Sequence, residues 1–197
     1  NKPKEIIVKF ETNFDPIKSL KILNDSLKSL GYYYYFTKST KYDGEGNLQW
    51  SIKLKTSYAV DPMILAMELA NHESRVIDIF REENDTWKYV INTQNSVISD
   101  ALYVDTNEKV KLQKPLKPYF IKIAEAKTLK ILSRTLNNWH PYIVFYDKHL
   151  TVLRVVKKDR VFKGLSMSIP KDSTYIKIND LYTLINIKRG LSIITKE

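Results

Sequence analysis

Cysteine is absent from all 197 residues. Disulfides, thiolate nucleophiles, cysteine-ligated zinc and iron–sulfur clusters are therefore excluded. Histidine is almost as scarce. His72, His140 and His149 are the only three, and no two stand at His-x-His or His-x-x-x-His spacing, so no metal site is expected. Glycine occurs five times, and neither a GxxxxGK[ST] nor a GxGxxG phosphate loop can be assembled from it. Gly44-Glu45-Gly46 falls in a hairpin turn. No apolar run approaches the roughly 18 residues of a membrane span. The chain starts at Asn1 without a methionine, and the expectation is that an export signal, an anchor or further sequence precedes it in the gene product.

Catalytic patterns are missing as well. No serine lies in GxSxG, and no Ser-x-x-Lys opens a helix. Glu82, Glu83 and Asp85 cluster, but in a turn, where carboxylates are solvated rather than paired across a cleft. The reading is of a chain with no catalytic residue and no cofactor.

Acidic charge is short only in the second half. Residues 1–100 carry 13 Lys/Arg against 14 Asp/Glu, whereas residues 101–197 carry 19 against 8. Such asymmetry indicates two domains, of which the basic one meets something acidic: nucleic acid, anionic headgroups or acidic glycans.

Positive signals then organise the chain. Glu5 to Glu11 alternates, with Ile6, Val8 and Phe10 on one face. Asp15-Pro16 reads as a helix N-cap followed by proline at the first helical position, and Gly31 closes that helix after Ile17, Leu20, Leu23, Leu27 and Leu30. Tyr32 to Tyr42 and Leu48 to Tyr58 form a hairpin. Asp61-Pro62 starts a second helix, with Met63, Ile64, Met67, Leu69 and Ala70 as its apolar positions. Arg75 to Arg81 and Trp87 to Thr93 form a second hairpin around Glu82-Glu83-Asn84-Asp85. The order is β-α-β-β-α-β with one added strand, which is the ferredoxin-like split βαβ arrangement. The expected fold class is α+β, with a ferredoxin-like domain over 1–97, a polar boundary in Gln94–Asp100 and an all-β sandwich over 101–197.

The second half reads as short strands: Lys109 to Gln113, Pro118 to Ile123, Thr128 to Arg134, Tyr142 to Tyr146, Leu150 to Val156, Val161 to Ile169, Thr174 to Ile178, Tyr182 to Ile187 and Leu191 to Thr195. Ala126, Leu129 and Leu132 also keep helical spacing over Ala124 to Leu136, but β-branched and aromatic neighbours favour strands there. The strand rhythm over 105–197, with Trp139-His140-Pro141-Tyr142 opening a strand, resembles the jelly-roll sandwiches of carbohydrate-binding and pre-peptidase-type modules. That resemblance implies a fold, not a ligand.

Three constellations can bind. Asn138, Trp139, His140 and Tyr142 combine flat apolar rings with hydrogen-bonding groups suited to sugars or bases, although Trp139 plugging one end of the sandwich core is the favoured reading. Arg154, Lys157, Lys158, Arg160 and Lys163, with a second tip at Lys188-Arg189-Gly190, can grip phosphates or acidic sugars if the two tips share one end. Tyr32 to Phe36 would place three aromatics on a free sheet face. That half is near neutral and lacks an RNA-recognition signature, so docking of protein against that face is favoured over RNA. His72 fits the C-terminal dipole of its helix. Together these readings describe a periplasmic or secreted, non-catalytic interaction protein whose basic sandwich contacts an acidic surface, a glycan or a protein partner in the cell envelope. A cytoplasmic nucleic-acid binder is the alternative, and a cell-wall hydrolase is held in reserve.

Overall fold

The two Asp-Pro pairs start helices by different means in the computed structural model, which describes residues 2–57, 60–82 and 85–197. In the helix Pro62–Ala70 (α2), Asp61 is extended and its carboxylate accepts the N–H groups of Met63 at 2.8 Å and Ile64 at 3.3 Å. In Pro16–Ser29 (α1), Asp15 sits in the left-handed region with φ 46° and makes no side-chain cap bond. The end of α1 follows expectation: Gly31 at φ 88° lets the Tyr32 N–H return to the Leu27 carbonyl at 2.9 Å.

The molecule is mixed α+β and divides into two compact units, Asn1–Ser99 and Asp100–Glu197. The first unit contains β1 (Lys4–Thr12), α1, β2 (Tyr35–Tyr42), β3 (Leu48–Thr56), α2, β4 (Arg75–Glu82) and β5 (Thr86–Asn92). Its sheet runs β2-β3-β1-β5-β4. β3 lies antiparallel to β1, and β5 lies parallel to β1 on the other side, so β5 stands between β1 and β4. Ile6, Val8 and Phe10 of β1 are buried with Trp50, Ile52 and Leu54 of β3 and with Leu23, Leu27, Leu65 and Leu69 of the helices. Each fully buried side chain of this size contributes about 1.5–3 kcal/mol. α2 departs from its expected face. Leu65 and Leu69 are buried, while Met63, Ile64, Met67 and Ala70 are exposed.

The tyrosine run also departs from strict alternation, because β2 starts only at Tyr35. Tyr32, ahead of the strand, packs on the core, and Tyr35 meets Trp50 edge-on at 5.7 Å. Phe36, paired with Lys53, and Tyr34 remain exposed. The sheet face away from the core carries ion pairs within the unit, Lys9–Glu82 at 2.6 Å and Lys53–Glu5 and Lys88–Glu11 at 2.7 Å each, while Lys4 at the start of β1 reaches the turn residue Asp85 at 3.9 Å. The expected strand end at Tyr58 and the turn residues Glu83 and Asn84 lie outside the described residues.

The polar segment after β5 is fastened to the first unit. Ser96 Oγ lies 2.8 Å from Ser74 Oγ, the Val97 N–H donates to the His72 carbonyl, and Ser99 Oγ lies 3.2 Å from His72 Nδ1. The break between units accordingly falls between Ser99 and Asp100.

The second unit contains β6 (Leu102–Val104), β7 (Lys109–Lys111), β8 (Tyr119–Ile123), β9 (Thr128–Ser133), β10 (Pro141–Tyr146), β11 (Val152–Lys157), β12 (Gly164–Ser168), β13 (Tyr175–Asp180) and β14 (Leu191–Lys196). They form two sheets, β11-β10-β13-β8-β6 and β12-β9-β14-β7. Ile121, Ile143, Phe145, Ile176 and Ile178 of one sheet share a core with Leu129, Ile131, Leu191 and Ile193 of the other, an arrangement consistent with a β-sandwich. Residues 128–133 form a strand, not a helix. The expected strand Tyr182 to Ile187 is instead a turn followed by a 3₁₀ helix, Leu184–Ile187. Its apolar residues alternate, but Asp180 captures the N–H groups of Tyr182 and Thr183, and Thr183 Oγ1 caps the Ile185 N–H, which bends the chain out of the sheet. β6 is an added edge strand that its sequence does not announce.

Candidate functional site

The strand registers fix which loops of the second unit lie together. Ser133 pairs with Leu191, Leu132 with Gly164, and Lys111 with Ser192 in one sheet. In the other, Pro141 pairs with Asp180, Tyr142 with Lys157, and Tyr119 with Ile178. The connections 112–118, 134–140, 158–163 and 181–190 all pass from one sheet to the other at this end. The connections 105–108, 124–127, 147–151 and 169–174 occupy the opposite end, with Glu197.

Buried polar side chains set the shape of the first end. Asp180 accepts the backbone N–H of His140 at 2.7 Å, of Tyr182 at 2.9 Å and of Thr183 at 3.1 Å, together with the Asn186 amide at 3.0 Å. Burial pushes its carboxyl up, but these four donors outweigh that and hold it below the ordinary aspartate value. Asn137, also buried, donates to the Gly190 carbonyl at 2.8 Å and accepts the Arg189 N–H at 3.2 Å. Gly190 stands at φ 84°, and a β-carbon there would meet the Leu112 carbonyl oxygen at 2.1 Å. Trp139 is fully buried, and its Nε1 donates to the Asn179 carbonyl at 3.0 Å.

Charge is divided between the two ends. The four connections at the first end carry Lys114, Lys117, Arg134, Lys158, Arg160, Lys163, Lys188 and Arg189 against Asp159 alone. The four connections at the opposite end carry Lys127, Lys148 and Lys171 against Asp105, Glu108, Glu125, Asp147 and Asp172, with Lys196 and Glu197 beside them. Lys117 pairs with Asp100 at 2.7 Å, and none of the other seven cations at the first end forms an ion pair with a described carboxylate. Asp159 accepts a hydrogen bond from the Tyr182 hydroxyl.

The sequence candidates therefore separate. Asn138, Lys158, Arg160, Lys188 and Arg189 are exposed at the cationic end, with half-buried His140 beside them against the Tyr182 ring. Tyr142 and Lys157 lie at its border on the outer face of the five-stranded sheet. There the ammonium groups of Lys157 and Lys177 stand 5.0 and 5.5 Å from the centre of the Tyr142 ring. Trp139 has no face open to a ligand. Arg154 is away from this end and bridges the two sheets: it stacks 4.8 Å from the Phe145 ring and donates to the Ser168 carbonyl on β12. Sequence reasoning overlooked Lys114, Lys117 and Arg134, whose shared location follows only from the order in which strands change sheets.

Other sites are weaker. An open cleft of about 1210 Å³ at the opposite end is lined by groups of both signs, among them Asp147, His149, Lys171 and Asp172. A hollow of about 420 Å³ on the first unit holds Lys9, Glu11, Glu82 and Lys88, which already pair with one another. His140 Nδ1 is 3.7 Å from Asp180 Oδ2, too long for the hydrogen bond of a catalytic dyad, and that oxygen is taken by a backbone N–H. Among the described residues no cluster of His, Asp and Glu could hold a metal ion, and no helix is long and apolar enough to cross a membrane. Comparison of the chain with models of protein families, with curated proteins and with solved structures finds no match.

Proposed function

We propose that this chain is a non-catalytic, extracytoplasmic binding protein that presents the cationic end of its second unit to an acidic surface or glycan. The observation that carries the reading is the excess of eight cations over three carboxylates, Asp100, Asp159 and Asp180, at one end of a unit whose other end has more carboxylates than cations in its connections. Random surface lysines would not sort in this way, and such an end attracts and orients an anionic partner. The first unit serves as a scaffold of ferredoxin-like type. Its order β2-β3-β1-β5-β4 supports this, being the split βαβ order with β5 inserted beside β1. The second is a jelly roll with β6 added. Counting β7 to β14 as eight strands, its sheets run 6-3-8-1 and 5-4-7-2, as two interlocked Greek keys require.

Nucleic acid is less well supported. Both lysines beside Tyr142 crowd its ring, and Phe120 stacks on Tyr175 at 5.4 Å, so these aromatics are engaged within the protein rather than offered to bases. The test is retention on immobilised sulfated or carboxylated polymer as salt is raised. The chain should elute well after the variant Lys158→Glu/Arg160→Glu/Lys188→Glu/Arg189→Glu, with elution falling as ionic strength screens the contact. Equal elution of the two proteins overturns the reading.

A further inference from the structure

Resting on that reading, we infer that the anionic partner is a lipid bilayer, and that the cationic end docks on acidic headgroups with apolar loop tips entering the interface. Each of the four connections at this end carries a large apolar residue held out in solvent. Leu116 is 93% exposed, Leu136 69%, Val161 45% and Ile185 69%, with Tyr182 at 61%. Each also carries at least one Lys or Arg within three residues of that tip: Lys114 and Lys117, Arg134, Arg160 and Lys163, and Lys188. Among the described residues, no large apolar side chain is exposed in the four connections at the acidic end. Exposed apolar residues and cations thus coincide in the connections of one end, whereas at the other the exposed Tyr103 and Val152 belong to strands and the connections hold fewer cations than carboxylates. A polyphosphate would use the cations alone and a glycan the cations with the Tyr182 ring, neither having a use for exposed leucine, valine and isoleucine tips. An interface of acidic headgroups over acyl chains uses both, because apolar tips gain by leaving water and cations gain from the negative surface potential.

Leu136 supplies an independent observation. Its φ of 69° is left-handed, a conformation in which Asn or Gly is the comfortable residue and in which a solvent-facing leucine gains nothing from the fold. Tyr182, with an apolar ring and a polar tip tied to Asp159, matches a side chain seated at headgroup level. The proposed geometry stands the second unit on its end, with Leu116, Leu136, Val161 and Ile185 entering and Lys158, Arg160, Lys188 and Arg189 against the headgroups.

The experiment is co-sedimentation of the full chain with vesicles of phosphatidylcholine alone and with vesicles in which about a third of the lipid is phosphatidylglycerol. Binding is expected only to the acidic vesicles, weakening with salt. Lys158→Glu/Arg160→Glu/Lys188→Glu/Arg189→Glu should lower it by a hundredfold or more, on the order of a factor of five per headgroup contact. Leu116→Ser/Leu136→Asn/Ile185→Ser keeps every charge and should lower it about tenfold or more. Leu136→Asn alone should weaken vesicle binding while leaving thermal stability equal or higher, a pairing that a packing role for Leu136 would not give. In the variant Ile185→Trp, the emission gained over wild type, whose Trp50, Trp87 and Trp139 form the background, should shift to the blue on vesicle binding and be quenched by brominated acyl chains. Full binding by the apolar triple variant, or an unquenched tryptophan, overturns the inference. Retention on acidic polysaccharide or nucleic acid without vesicle binding overturns it too, but leaves an anion-binding end in place. No retention on any polyanion removes the proposed function as well.

Discussion

At the residue scale, Asp180 and Gly190 shape the cationic end without being its ligands. Asp180 is a carboxylate with four donors and no water-facing surface, so its charge is held by the fold. Asp180→Asn keeps one carbonyl oxygen but turns an NH₂ toward backbone donors. The expected loss is about 2–3 kcal/mol, measured by denaturant unfolding. The sign of its pH dependence follows from the depressed carboxyl. Its contribution is complete above the unfolded aspartate value and is lost as pH falls through the lower folded value, so wild type should converge on the Asp180→Asn variant in acid. A difference that stays constant into acid would show that the charge is not what the four donors hold. Gly190→Ala faces both a left-handed φ and a carbonyl oxygen 2.1 Å from the new methyl. The expected cost is at least about 2 kcal/mol, with β14 and the 3₁₀ segment losing amide protection together.

At the element scale, legibility in the sequence depended on whether a residue's neighbours in space were also its neighbours in sequence. β1 was legible because Ile6, Val8 and Phe10 alternate and all three bury. The face of α2 was legible only at Leu69: Met63, Ile64 and Met67 look like the rest of a core stripe, but Leu65 is the residue that joins Leu69 in the core. The segment 182–187 failed because its apolar alternation was overruled by one carboxylate placed at the end of the preceding strand. The core role weighed for Trp139 in the sequence agrees with its burial, whereas Arg154 looked like a ligand residue because that type often is, and only the second sheet reveals that it bridges β11 to β12. Arg154 then gives a separable prediction. Arg154→Met keeps an apolar stem over Phe145 but removes the bridge from β11 to Ser168 on β12. Stability should fall by about 1–2 kcal/mol while binding to anionic surfaces is unchanged, so paired unfolding and binding measurements decide whether Arg154 serves the fold or the ligand. Asp61→Ala should cost about 1 kcal/mol through loss of the α2 cap.

At the scale of the whole molecule, the two units differ in how they dispose of charge. The first is near neutral and pairs several lysines with its own carboxylates, three of them across one sheet face. The second leaves most of its cations without acidic partners and sorts them by end. The net excess was legible from composition, whereas its sorting was not, since it depends on the order in which eight strands alternate between two sheets. Their cores share no residue: Phe10, Trp50, Leu65 and Tyr89 belong to one, and Ile121, Phe145, Ile176 and Ile193 to the other. Each hydrophobic core is therefore closed within its own stretch of chain, and the hydrogen bonds that shape the cationic end, from Asn137, Trp139 and Asp180, stay inside residues 100–197. Residues 100–197 produced alone should give a β-rich circular dichroism spectrum, dispersed amide resonances and a single cooperative unfolding transition. That fragment should also keep the full salt-sensitive affinity for anionic surfaces, and residues 1–99 should show none, because their 13 Lys/Arg are balanced by 13 Asp/Glu. A folded fragment 100–197 with greatly reduced affinity would move the binding surface to the first unit and reverse the assignment of roles between the two halves.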